Sequence, residues 1–236
     1  MRFTHFPQNA KLRMISNGGN LSRAPFIDNM FQVNLFGHMR VTQAILPHFR
    51  RQGHGRIGFT SSSTASAPLP FMSHYAASKA ALSAYVEGLD REVRPLGIRC
   101  VAIECGGFPT HLGQPRNPDQ SGFGSNGPAI EAYQPLFAEL VGKFATDPMG
   151  HMPGDLTKAA NRISDVLKRE GMAAGRPWVP RLALGSDGWA SMKQKCDELL
   201  VIVGGWKNVS VSTDREGQKV ASVEEMSKFT SILEDA

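Results

Sequence analysis

Gly55-Arg-Ile-Gly-Phe-Thr60, Ser73-His-Tyr75-Ala-Ala-Ser-Lys79-Ala-Ala81 and Pro95-Leu-Gly97-Ile-Arg-Cys-Val-Ala-Ile103 follow one another within fifty residues, and their reading decides the fold. The first is a brief apolar run that ends in Ser61-Ser62-Ser63-Thr64, which predicts a strand delivering hydroxyls at its C-terminal end. Ser73 is expected to cap a helix reaching about Val93, with Ala76, Ala77, Ala80, Ala81, Ala84 and Leu89 giving it small apolar faces. Pro95-Leu-Gly97 closes that helix, and residues 98–103 form a second β-rich run ending at Gly106-Gly107. Strand, helix, turn, strand is the rhythm of a parallel α/β sheet.

The pattern extends outward from there. Upstream, apolar residues recur at mixed three-and-four spacing over residues 26–49 and predict a helix that Gly53 ends. Before it, residues 12–15 read as the end of a short strand and Ser16-Asn17-Gly18-Gly19 as a turn. Downstream, residues 113–128 are rich in Gly, Pro, Asn and Ser and read as a loop. Helices are expected over 129–144, over 156–169 behind an Asp155 cap, and over 188–200, with a last short strand at 181–184. The tail, 214–236, is polar, with a helix expected near 223–233.

The 236 residues, 41% of them hydrophobic, suit one globular domain spanning 1–236. The net charge of +5 is scattered, not gathered into a tract, so a nucleic-acid face is not expected, while a mild positive field suits an anionic dinucleotide. No window approaches the ~18 apolar residues of a membrane span. The expectation is a cytoplasmic protein. Cys100, Cys105 and Cys196 are an odd total without metal-ligand spacing, expected to be reduced and to bind no metal.

Tyr75 and Lys79 lie four apart on one helix face. A phenol titrates near ~10, and an ammonium about 4 Å away contributes on the order of 4 kcal/mol at an effective dielectric of ~20. That is enough to lower the phenol by a few pH units and ready it to exchange a proton with a substrate oxygen. Alone, the pair reads equally as an exposed helix face, Ser62 as a strand-end turn residue and Asn34 as a helix-surface amide.

Taken together, Asn34-Leu-Phe-Gly37, Gly55-Arg-Ile57 with Ser61-Ser62, Tyr75-Ala-Ala-Ser-Lys79-Ala-Ala, and Gly97-Ile-Arg with Glu104-Cys-Gly-Gly-Phe-Pro-Thr110 resemble the successive landmarks of the short-chain dehydrogenase/reductase family. The branch resembled is that of 17β-hydroxysteroid dehydrogenases and fungal oxidoreductases. The resemblance implies a three-layer α/β/α, Rossmann-like doubly wound sheet, and a reaction interconverting a carbonyl and a secondary alcohol with NADP or NAD, NADP being slightly favoured. By position it implies Tyr75 as proton donor or acceptor, Ser62 as hydrogen-bond partner of the substrate oxygen, Lys79 as holder of the nicotinamide ribose, and Asn34 as anchor of a relay water. Gly106, Gly107, Phe108 and Thr110 would contact the carboxamide and nearby phosphate, and Asn17 would match the family's Asn-Asn-Ala-Gly turn. Where the family shows Pro-Gly this chain has Cys105-Gly106, which leaves the turn freer; Cys105 is read as a packing residue, since no histidine stands beside it in sequence.

A dinucleotide fold needs a strand, a Gly-rich turn and a helix N-terminus to seat the pyrophosphate. None is read in the residues before Asn34, so the sheet is expected to be incomplete, missing its first strands. Gly53-His-Gly-Arg-Ile-Gly58 leads into a strand and Gly122-Phe-Gly-Ser-Asn-Gly127 has none before it, so both are rejected as cofactor loops. Residues 112–154 are expected to cover the substrate, and Phe123, Tyr133, Phe137, Phe144 and Met149 suggest a small apolar carbonyl or alcohol; helical core packing explains them equally well. A second copy of the chain is a further expected partner. The competing reading is a non-catalytic remnant or partner-binding protein that holds no dinucleotide alone; a serine hydrolase is disfavoured, as no Gly-x-Ser-x-Gly elbow is present.

Overall fold

The computed structural model describes residues 24–110, 128, 130–217 and 223–231. Three parallel strands, β1 (Gly55–Ser62), β2 (Ile98–Cys105) and β3 (Arg181–Leu184), lie side by side in the order β1-β2-β3. Gly55 pairs with Ile98 and Ser62 with Cys105, so the ends of β1 and β2 that carry the site are level. Leu184 pairs with Cys105 in turn.

β2 is covered on both faces, as a parallel strand must be. Ile98, Cys100 and Ala102 point into a cluster with Phe59, Leu82, Val86, Leu89 and Val93, the last four on helix α3 (Ser73–Val93). Val101 and Ile103 point the other way, to Trp178 and to Ile163, Val166 and Leu167 of α6 (Leu156–Lys168). Each fully buried side chain of this kind contributes roughly 1.5–3 kcal/mol, so the two clusters fix the three-layer arrangement. The expected α/β/α fold with a parallel sheet is therefore the observed one.

Helix α1 (Ala24–Phe31) passes through one wide π-helical stretch, Gln32–Phe36, into α2 (Gly37–Gln52), which ends at left-handed Gly53 as expected. Asp155 caps α6, its carboxylate accepting from the Lys158 N–H at 2.8 Å. Ser73, by contrast, is the first helical residue of α3 and caps nothing; Met72 precedes it. Ala77 and Ala84 are exposed, while Ser78 and Ser83 are fully buried. Small buried hydroxyl residues thus join Ala76 and Leu82 in packing α3 on the sheet, as in the 2.9 Å contact of Ser61 Oγ with Ser83 Oγ.

Beyond β2 come α4 (Gln134–Thr146), the single turn α5 (Pro148–His151), α6, β3, then α7 (Ser186–Val211) and α8 (Val223–Thr230). α7 runs eleven residues past its expected end at Leu200. From Cys196 on it is exposed on every side, Leu200, Val201, Val203 and Trp206 included. α8 returns to α3, where Arg91 donates to the carbonyl of Thr230 at 2.9 Å. The expected strand and turn at 12–19, with Asn17, and the loop at 113–127, with Phe123, lie outside the described residues.

Candidate active site

The C-terminal end of β1 delivers Ser62, which caps a short 3-10 turn, Ser63–Ala65, by accepting from the Thr64 N–H at 3.2 Å and the Thr64 hydroxyl at 2.9 Å. The first turn of α3 brings Tyr75 to it. Burial pushes the Tyr75 phenol above its ordinary value, the side-chain hydrogen bond with Ser62 pulls it down, and the Cys105 thiol raises it further. The net direction is upward.

This corrects the expectation that Lys79 lowers the phenol. The Lys79 Nζ lies 5.9 Å from the centre of the Tyr75 ring and donates to the carbonyl of Thr60 at 3.0 Å, at the edge of β1. Lys79 is only 9% exposed, and burial pushes its ammonium down to about 8. The largest cause of the phenol's rise is its own burial, and the same burial works against the charge on Lys79. Lysine has three N–H donors and Thr60 uses one, so a buried cation with spare donors stands beside the phenol.

Asn34 occupies the π-helical stretch, a deformation that often marks functional sites. It is 4% exposed and its amide donates to Ser78 Oγ at 3.0 Å, while Ser78 donates to the Tyr75 carbonyl at 2.7 Å. The surface-amide reading fails. Asn34 is tied to the helix turn that carries Tyr75 and Lys79. His38 lies one turn on, stacked on Phe59 at 6.1 Å, its imidazole held below its usual value by burial and by the Lys79 charge.

The end of β2 supplies the other wall. Cys105 stands level with Ser62, and burial holds its thiol in the neutral form by raising its pKa. The Gly106 N–H donates to the Leu184 carbonyl at 2.8 Å, and the Gly107 N–H donates to Asp187 Oδ2 at 2.5 Å. A Cβ on Gly106 would overlap the Asp187 carboxylate, and one on Gly107 would lie 2.5 Å from the His151 carbonyl. Phe108 packs against Gly154, and Thr110 is exposed at the margin of the described residues. The space a side chain would take at either glycine is thus filled by the chain itself, and the Gly107 donor is committed.

Sequence reading missed Asp187, Arg181 and His38. Asp187 and Arg181 act on residues 80 and 77 positions away, Gly107 and Glu104, so spacing carried no signal for them. His38, one turn beyond Asn34, was within reach of a helical-spacing argument.

A parallel α/β domain that gathers a serine, a tyrosine and a buried lysine at the C-terminal ends of its strands belongs to the class of dinucleotide-type oxidoreductase folds. The model of the family described as short chain dehydrogenase matches residues 8–121. The uncharacterized oxidoreductase YbbO of Escherichia coli is 35% identical over 133 residues, covering 56% of this chain and 49% of that protein. Human 17-beta-hydroxysteroid dehydrogenase type 1 is 39% identical over 85 residues, 36% of this chain and 25% of that one. A short-chain dehydrogenase from Streptomyces avermitilis superposes with a TM-score of 0.61 at 30% identity, covering 81% of this chain and 64% of that one. The family model, the curated relatives and the solved structure agree in marking the chain as similar to the short-chain dehydrogenase/reductase family. It spans about half the length, or less, of these curated relatives.

Proposed function

We propose that the protein is an NAD(P)-dependent oxidoreductase that interconverts a carbonyl and a secondary alcohol, with Tyr75 as proton donor or acceptor. The observation that carries this reading is the meeting of Ser62, Tyr75 and the buried Lys79 at one strand end. The nicotinamide-ribose end of the cofactor fits the donor set, because Lys79 has N–H groups to spare for ribose hydroxyls. When bound, the cofactor supplies or removes the hydride. The chain's own part is then to manage the oxygen. Ser62 hydrogen-bonds it, Tyr75 gives it a proton in reduction or takes one in oxidation, and Lys79 stabilises the phenolate left behind.

A raised phenol suits the reductive direction, since Tyr75 is a protonated donor at neutral pH. Asn34, bonded to Ser78, is placed to hold a water through which that proton is restored. The cofactor is NADP or NAD, NADP being slightly favoured, and the net charge of +5 suits either anionic dinucleotide. The substrate is a fairly apolar carbonyl or alcohol; in the described part of its expected cover, 130–154, Phe137 is buried and stacks edge-on with Phe71 at 5.3 Å. A cytoplasmic setting and a single domain complete the proposal; among the described residues no helix is long and apolar enough to cross a membrane.

One observation favours the second reading, a fold that holds no dinucleotide by itself. The junction of β3, Gly185 and α7 is a strand, glycine turn and helix N-terminus, but its first turn carries the Asp187 carboxylate, bonded to the Gly107 N–H, and that negative charge opposes a phosphate there. Calorimetric titration with NADPH and NADH, followed by a carbonyl-reduction assay, separates the two. The oxidoreductase reading requires saturable binding and turnover that Tyr75→Phe lowers by about 10²-fold or more. Absence of both in the folded chain overturns it.

A further inference from the structure

Glu104, next to last in β2, is fully buried, and Arg181, first in β3, closes on it. Arg181 Nε and Nη2 both approach Glu104 Oε1 at 2.7 Å. Nη2 also donates to Ser66 Oγ at 2.8 Å, and Ser66 in turn donates to Glu104 Oε2 at 2.7 Å, so the three form a closed ring. Nη1 reaches Glu87 Oε1 at 3.1 Å.

Those partners sit on the two elements that carry the reacting hydroxyls. Ser66 is the C-cap of the 3-10 turn whose N-cap is Ser62; its N–H donates to the Ser63 carbonyl at 3.1 Å. Glu87 lies on α3 with Tyr75 and Lys79, three turns further along. A guanidinium is a planar fork with five fixed donors, so it can hold both partners at a set separation, which a flexible ammonium does not do. We propose that Arg181, through Glu104, Ser66 and Glu87, is a positioning residue that sets the spacing between the Ser62 hydroxyl and the Tyr75 phenol. Its catalytic consequence rests on the oxidoreductase reading; the geometric claim does not.

The test uses the full chain with ring-labelled tyrosine, so that Tyr75 and Tyr85 are followed as separate resonances. Arg181→Met leaves the Glu104 charge buried and unpaired and is set to misfold. Ser66→Ala and Arg181→Lys keep that charge compensated and carry the experiment. A slackened turn weakens the Ser62 hydrogen bond, so in both variants the Tyr75 midpoint is expected to rise by about 0.5 or more. Lys79 and Cys105, the other groups facing the phenol, are unaltered. Tyr85, on the same helix but bonded to Thr42, reports general loosening and is expected to stay fixed. In the same variants kcat falls about tenfold with KM little changed, the pattern of a lost transition-state alignment. If Tyr75 does not move, or if Tyr75 and Tyr85 move together, the positioning role is overturned. A rise at Tyr75 in a chain that turns nothing over upholds the positioning and sinks the oxidoreductase reading alone.

Discussion

Lys79 shows how a residue suited to chemistry works against folding. Its folded-state pKa of about 8 lies below the ordinary 10.5, so between those values the unfolded chain binds more protons than the native one. Stability therefore rises with pH through that window, and the penalty is felt in full below it. The difference corresponds to about 3 kcal/mol at most, in a domain whose total is of the order of 5–15 kcal/mol. Lys79→Met should raise stability at pH 7 by about 1–2 kcal/mol, remove the rise above pH 8, and abolish turnover. Denaturant unfolding of both proteins from pH 7 to 9.5 checks this, and parallel profiles would contradict it. The Ser-Tyr-Lys pattern was legible in the sequence because its members fall at fixed spacings. The direction of the phenol's titration was not legible, since it depends on how deeply the residues are buried and on which carbonyl the ammonium faces.

At the level of elements, β1, α3, β2, α6 and β3 stand close to where hydrophobic pattern and turn residues placed them. The reason is local: Gly53, Gly97 and the Asp155 cap each end or begin an element by backbone conformation or a hydrogen bond within a few residues. α7 continues past its expected end at Leu200 and through Gly204-Gly205, both of which are helical and meet nothing within 4 Å. The turn after β2 is a different case, determined from far along the chain. Gly106→Ala would drive a methyl into the Asp187 carboxylate, and the expected cost is about 1–3 kcal/mol. Asp187→Ala alone frees the Gly107 N–H and should cost a similar amount. The double variant should be less destabilised than the sum by about 1 kcal/mol, since the clash disappears with the carboxylate. Additive thermal-melt values would show that the two residues do not meet.

For the whole molecule, protection should be uneven. Amides of β2, walled in by both clusters, are expected to exchange last, and those of 200–211 first, because that part of α7 is helical without a packed face. Val203→Glu, at a side chain 68% exposed, should change the melting free energy by less than about 0.5 kcal/mol while improving solubility. A large loss of stability in that variant would mean that the outer half of α7 is packed in solution. The parallel sheet and its layers were legible because each strand carries its own pattern; how β1 is bordered on the side away from β2 was not.

The wide turn at Gln32–Phe36 carries a last implication. A π-bulge is in effect one residue spliced into a regular spiral, so excising Val33 would let the helix close up into uninterrupted α-geometry. Each α-helical residue contributes about 100° of rotation, and the wide turn absorbs that increment, so the halves stay in phase across it. Without the widening, the same extra residue would turn Thr42 and Phe49 out of the interior relative to Met30. The splice is thus a phase adjuster, letting one continuous rod aim an amide at α3 and an aromatic ring at the sheet.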